Sequence, residues 1–184
     1  MLSQKQRDYE LSVYVPTPAP VPVHIGNKKY LNQSLELKNP REDSVKIALL
    51  DLGIPAYYEY MRYPLSNGKV YYPDFITSIY FDGRQVVLEP HSTVSDKGYL
   101  KKLNEFINRY NFYLILISNR SHRKLAEQNS DPEKFIDEYW FINNFLNTKD
   151  SIKQNSENVK KKLKKLLRNP ETEIIKSSDA FLRT

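Results

Sequence analysis

The order of helical and extended patterns predicts an α/β fold with a central mixed β-sheet flanked by helices, in the order α-β-β-β-α-β-α. Three observations carry this prediction. A helix near residue 40 has signals at both ends, an Asp-Gly turn at 82–83 joins two β-rich segments, and FYLILIS is an apolar run short enough for a strand buried on both faces. At 184 residues the chain is long enough for one well-buried core.

The first helix is NPREDSVKIALLDLGI. Asn39 is its N-cap, Pro40 takes the first helical position, and Gly53 follows its end. Val45, Ala48, Leu49 and Leu52 recur at helical spacing, and Glu42 extends that stripe so that its carboxylate points inward. Three residues after Asn39, Glu42 also suits a capping box. AYYEYMRYPL then reads as a strand, SNG as a turn, and VYYPDFITSIYF as the next strand, which DGR folds back into QVVLEPHS. The three make an antiparallel meander. GYLKKLNEFINRY follows as a helix with Leu100, Leu103, Ile107 and Tyr110 in register, and then comes the buried strand. A last core helix is expected over DPEKFIDEYWFINNFL, with Phe135, Tyr139, Ile142 and Leu146 on one side.

Three regions result. Residues 1–38 form an extended Pro-rich arm, because prolines at 16, 18, 20 and 22 forbid a central strand; it reads as a spacer or as a partner-recognition tract. Residues 39–149 form the core, and 150–184 a basic helix and tail.

No window reaches the roughly eighteen apolar residues of a membrane span, and the polar start SQKQRDYE has no apolar signal segment behind it. The expected location is cytoplasmic, in the host cytoplasm for a viral protein. The absence of cysteine removes disulfides, thiolate metal sites and cysteine nucleophiles, which leaves oxygen and imidazole ligands and favours hard metals. A net charge of +6 makes a polyanion a plausible partner.

The chemistry concentrates in VYYPDFITSIYFDGRQVVLEPHS. On a strand Glu89 and His91 share a face, and the hairpin folds Asp74 toward Glu89. Two carboxylates so close repel at low dielectric unless a cation lies between them. Pro90 lacks an N–H but offers its carbonyl as a third oxygen ligand.

A helix glutamate, a hairpin, Pro-Asp and then Glu-x-(basic) resembles the PD-(D/E)XK nuclease superfamily, which includes archaeal Holliday-junction resolvases, nucleases of archaeal viruses, and many restriction, phage and transposon endonucleases. The resemblance covers Asn39 to about Ser118. It implies a restriction-endonuclease-like core and a metal-dependent DNA endonuclease, possible substrates being branched or recombination intermediates. In its terms Glu42 is the helix acid, Asp74 and Glu89 with the Pro90 carbonyl hold Mg²⁺ or Mn²⁺, and His91 takes the position of the motif lysine. That substitution departs from the pattern. A lysine there orients the attacking water and stabilises developing charge, whereas an imidazole with its ordinary pKa near 6.5 is largely neutral at pH 7. The alternative is therefore a nuclease-like DNA-binding or assembly module without catalysis.

Basic residues follow the buried strand in NRSHRK, giving Arg120, Arg123 and Lys124 as phosphate contacts, with Lys101 on the preceding helix a further candidate. In SENVKKKLKKLLRN, Val159, Leu163, Leu166 and Leu167 form a stripe opposed by Lys160, Lys161, Lys164, Lys165 and Arg168. From 150 to 169 there are seven basic and two acidic residues, a local net charge of +5. Such a helix serves DNA contact, presents a charged outer face over a packed one, or lies on an anionic membrane, for which the lack of Trp and Phe on its apolar face makes it a poor anchor. The aromatic segment FIDEYWFINNF, with Phe141 and Phe145 in excess of one stripe, leads to the expectation of a homodimer.

Overall fold

The computed structural model describes residues 23–24, 31–37, 39–59, 61–91, 97–123, 136–142 and 148–175. Helix α1 (Pro40–Asp51) opens where Asn39 Oδ1 accepts the N–H groups of Arg41 and Glu42 at 3.1 and 3.2 Å. It ends as Gly53 enters the left-handed region at φ 62° and Ile54 N–H returns to the Leu49 carbonyl at 2.9 Å.

The Tyr-rich segment that follows is two strands rather than one. Glu59 sits at φ 40°, so β2 (Ala56–Tyr58) stops there and β3 (Met61–Pro64) starts in a new direction. With β1 (Val23–His24) and β4 (Val70–Tyr71), β3 makes a small antiparallel sheet in the order β1-β3-β4. The central sheet takes up β2 and continues with β5 (Phe75–Phe81) and β6 (Arg84–Pro90). Asp82 at φ 51° and Gly83 at φ 70° form the tight turn between them, the backbone pattern that makes Asp-Gly a hairpin signal.

Helix α2 (Lys97–Tyr110) carries the chain back across the sheet, so β7 (Tyr113–Asn119) lies parallel to β6. Strand β8 (Glu138–Ile142) adds on parallel to β7, followed by α3 (Lys149–Leu167) and β9 (Thr172–Ile174). The sheet order is β2-β5-β6-β7-β8, with β9 pairing the outer half of β5 beyond a bulge between Ile76 and Tyr80. This is an α/β architecture with a mixed central sheet flanked by helices.

Two apolar layers cover the sheet. On one side Val45, Ala48 and Leu49 of α1 meet Val159, Leu163 and Leu166 of α3 over Leu88, Ile115 and Ile117. On the other, Leu103, Phe106 and Ile107 of α2 pack on Val87, Leu114 and Leu116. Each such side chain contributes roughly 1.5–3 kcal/mol by leaving water. FYLILIS is buried on both faces because both layers claim it. Helix α3 packs directly on α1, and β9 is part of the central sheet, so residues 148–175 build on the same core as residues 39–123.

One expected element is corrected. Residues 138–142 form a strand, not a helix. Tyr, Trp, Phe and Ile in succession are strong strand formers, and β7 offered an open parallel edge. Trp140 and Ile142 turn toward α3, while Tyr139 and Phe141 turn toward the α2 side. The aromatic surface behind the expected homodimer is therefore not a helix face; Phe135, Phe145 and Leu146 lie outside the described residues. Most of the proline arm also lies outside them. Among the described residues no helix is long and apolar enough to cross a membrane.

Candidate active site and basic groove

Asp74 and Glu89 are neighbours because Phe75 pairs with Leu88, which sets the residues one step outward side by side. The main-chain N–H of Asp74 donates to Glu89 Oε2 at 3.0 Å, and the Tyr99 hydroxyl of α2 donates to Oε1 at 2.8 Å. Glu89 is 3 % exposed. Burial pushes its carboxyl above the usual carboxylate range, while the Asp74 N–H, the hydroxyls of Tyr71 and Tyr99 and the charge of Lys102 pull the other way. The Tyr71 hydroxyl lies beside Glu89 in a geometry short of a proper hydrogen bond and is buried without a partner.

Lys102, one turn beyond Tyr99, places its Nζ 5.0 Å from the ring centres of both Tyr71 and Tyr99. His91 is half-buried, stacks on Tyr99 at 3.8 Å between ring centres, and donates its backbone N–H to Ile117 at 2.9 Å. Pro90 is buried and pairs in register with Ile117. Ser118, next along β7, has a buried hydroxyl without a partner.

Glu42 belongs to the other side of the sheet. It is 4 % exposed, accepts the Tyr58 hydroxyl at 2.7 Å on Oε2 and the Asn39 side-chain amide on Oε1. Tyr58 connects the two sides electrostatically: burial raises its pKa first, then the hydrogen bond and charge of Glu42, with Glu59 and Asp74 adding to the shift. The structure thus brings Asp74, Glu89, Pro90 and His91 to one sheet end and sets Glu42 apart, tied to Tyr58. Among the described residues no three acidic or imidazole side chains close on a single point.

The basic residues gather along β8 and α3. A groove of about 1000 Å³ is walled by Arg120 and Arg123 after β7, by Tyr139 and Phe141 of β8, and by α3. Lys161, Lys164, Lys165 and Arg168 line it and are exposed. Lys160 lines it too, but its ammonium is held by Asp51 of α1 at 2.7 Å and by Glu157 at 2.6 Å, so it fastens α3 to α1. Lys162 is half-buried 5.8 Å from the Trp140 ring centre, where burial lowers its pKa. Lys101 is exposed on α2 outside the groove lining, and Lys124 lies outside the described residues.

Sequence reasoning named the acids but missed Tyr58, Tyr71 and Tyr99 as their holders. The only signal available was the density of tyrosine on both sides of the Pro-Asp step. No family model, curated protein or solved structure matches the chain.

Proposed function

We propose that the chain is a metal-dependent DNA endonuclease that hydrolyses phosphodiester bonds at the Asp74–Glu89 pair. The observation that carries this reading is the parallel run of β6, β7 and β8. Their C-terminal ends lie at one edge of the sheet, where Glu89 and Pro90 pair with Leu116 and Ile117, and Arg120 and Arg123, which follow β7, line the basic groove. With neighbouring strands about 5 Å apart, β8, which supplies part of the groove wall, runs about 10 Å from β6. The order α1-β2-β5-β6-α2-β7 is also the order that the PD-(D/E)XK resemblance implies, which supports a restriction-endonuclease-like core.

The donor set suits Mg²⁺ or Mn²⁺. Asp74 and Glu89 offer carboxylate oxygens, Pro90 a carbonyl, and the orphaned Tyr71 hydroxyl beside Glu89 suits a bound water. Such an ion, when bound, supplies an activated water and neutralises phosphate charge. The chain's own part is positioning. The Asp74 N–H and the Tyr99 hydroxyl fix the Glu89 carboxylate, and stacking on Tyr99 fixes the His91 ring. Lys102 brings the positive charge that a lysine at position 91 would have brought.

The test is cleavage of plasmid, linear and branched DNA with Mg²⁺ or Mn²⁺, alongside Asp74→Ala; equal cutting by the variant defeats the assignment. A second reading, a DNA-binding module without catalysis, is favoured by the fact that protein donors already occupy both Glu89 oxygens while Glu42 is held across the sheet. Calorimetry separates the two: salt-sensitive DNA binding without any Mg²⁺ or Mn²⁺ binding selects the second.

A further inference from the structure

The groove has a wall that phosphate binding does not require. Tyr139 and Phe141, two apart on β8, present rings whose planes differ by 4° with centres 5.8 Å apart. Both are half-buried: their inner sides rest on the α2-side core, and both line the groove. Arg120 and Arg123, which follow β7, and Lys161, Lys164, Lys165 and Arg168 of α3 line the same groove. Glu157, the acidic residue in the described lining, is paired with Lys160. Six cations beside two parallel rings define a ligand that is both polyanionic and able to offer flat aromatic faces.

In duplex DNA the base faces are stacked on one another and cannot meet side-chain rings. Unpaired bases can, and every base offers such a face whatever the sequence. We propose that this groove binds an unpaired, single-stranded stretch of nucleic acid, with its bases against Tyr139 and Phe141 and its phosphates on the six cations. The inference rests on reading the chain as acting on DNA, but not on hydrolysis at Asp74 and Glu89. It specifies the substrate class as DNA with a single-stranded part leading toward the carboxylate pair.

The experiment is fluorescence anisotropy in EDTA with the full chain carrying Asp74→Ala, so that binding is read apart from cleavage. The probes are a 20-mer of dT, a 20-mer of rU and a 20-base-pair duplex, with inorganic polyphosphate as competitor. Tyr139→Leu/Phe141→Leu, which keeps apolar bulk but removes the rings, is expected to weaken single-strand binding about tenfold or more while leaving duplex binding unchanged. Tyr139→Phe alone is expected to keep full affinity. Lys161→Gln/Lys164→Gln/Lys165→Gln is expected to flatten the salt dependence of log K by about 2 for single strands. Tight binding of either single-stranded probe supports the site, and comparison of the two shows whether the sugar is read.

Unchanged affinity in the double leucine variant overturns the proposal. So does tighter binding of duplex than of dT, or displacement of dT by polyphosphate as effectively as by unlabelled dT. Should the leucine variant fail to fold, photo-crosslinking of iodo-deoxyuridine strands to the Asp74→Ala chain decides. Adducts on Tyr139 or Phe141 support the site, and adducts confined to other residues overturn it. Groove binding without any cleavage by the unmodified chain would sink the nuclease reading while leaving this one standing.

Discussion

Asp74 holds Glu89 through its main chain rather than through its side chain: the N–H of one donates to the carboxylate of the other at 3.0 Å. The arrangement leaves the Asp74 carboxylate half-exposed at the sheet end while Glu89 is buried and fixed from both oxygens.

Glu89→Gln keeps the shape and removes a charge that burial disfavours. The expected outcome is loss of DNA cleavage by at least about 100-fold, with a melting temperature equal to or above that of the parent. A fall in melting temperature together with retained cleavage would show that Glu89 is structural.

Lys102→Gln is expected to lower turnover about 10- to 100-fold, with Lys102→Arg restoring part of it. Both should bind DNA like the parent, because Lys102 is outside the groove lining. Steady-state cleavage and anisotropy on the same preparations check the two halves.

Tyr58→Phe removes a 2.7 Å bond to the buried Glu42. Urea unfolding is expected to show a loss of about 1–3 kcal/mol with unchanged slope, since a buried acceptor loses its donor. Asn39→Ala, which deletes the N-cap of α1, should cost about 1 kcal/mol.

Alkaline pH should unfold the protein through its buried tyrosines. Burial raises Tyr58, Tyr71 and Tyr99 well above the ordinary tyrosine value near 10 and pushes Tyr113 up to about 12. These groups keep their protons in the folded state when the unfolded chain has lost them. Their stabilisation is present in full below pH 10 and is lost as pH rises from 10 toward 12. Tyrosinate absorbance and far-ultraviolet circular dichroism, recorded together, should change in one transition in that window; ionisation complete by pH 10 without unfolding would refute it.

What could be read in advance was what local chemistry decides. Asn39, Pro40 and Gly53 bound α1 because capping is a matter of a few adjacent groups, and Asp82-Gly83 turns because its φ angles suit few other pairs. The adjacency of Asp74 and Glu89 followed from that turn. What failed was decided by neighbours. EYWFI carries a helical spacing as well as strand formers, and only the free edge of β7 resolves the ambiguity. The break at Glu59 needs a positive φ that no glycine announces. The placement of Tyr99 and Lys102 over Glu89, and of Glu42 across the sheet, depends on how α2 and α1 pack, which lies beyond any window of sequence.

Strand β5 is shared end to end, its first half by β2 and its second by β9. The segment that seals this second half follows every other strand among the described residues, so a ribosome must deliver residue 174 before the sheet can close. Until then the outer half of β5 is a bare template for a foreign strand. Variants that stop short of Thr172 should therefore aggregate during synthesis even though each element around Asp74 and Glu89 is intact.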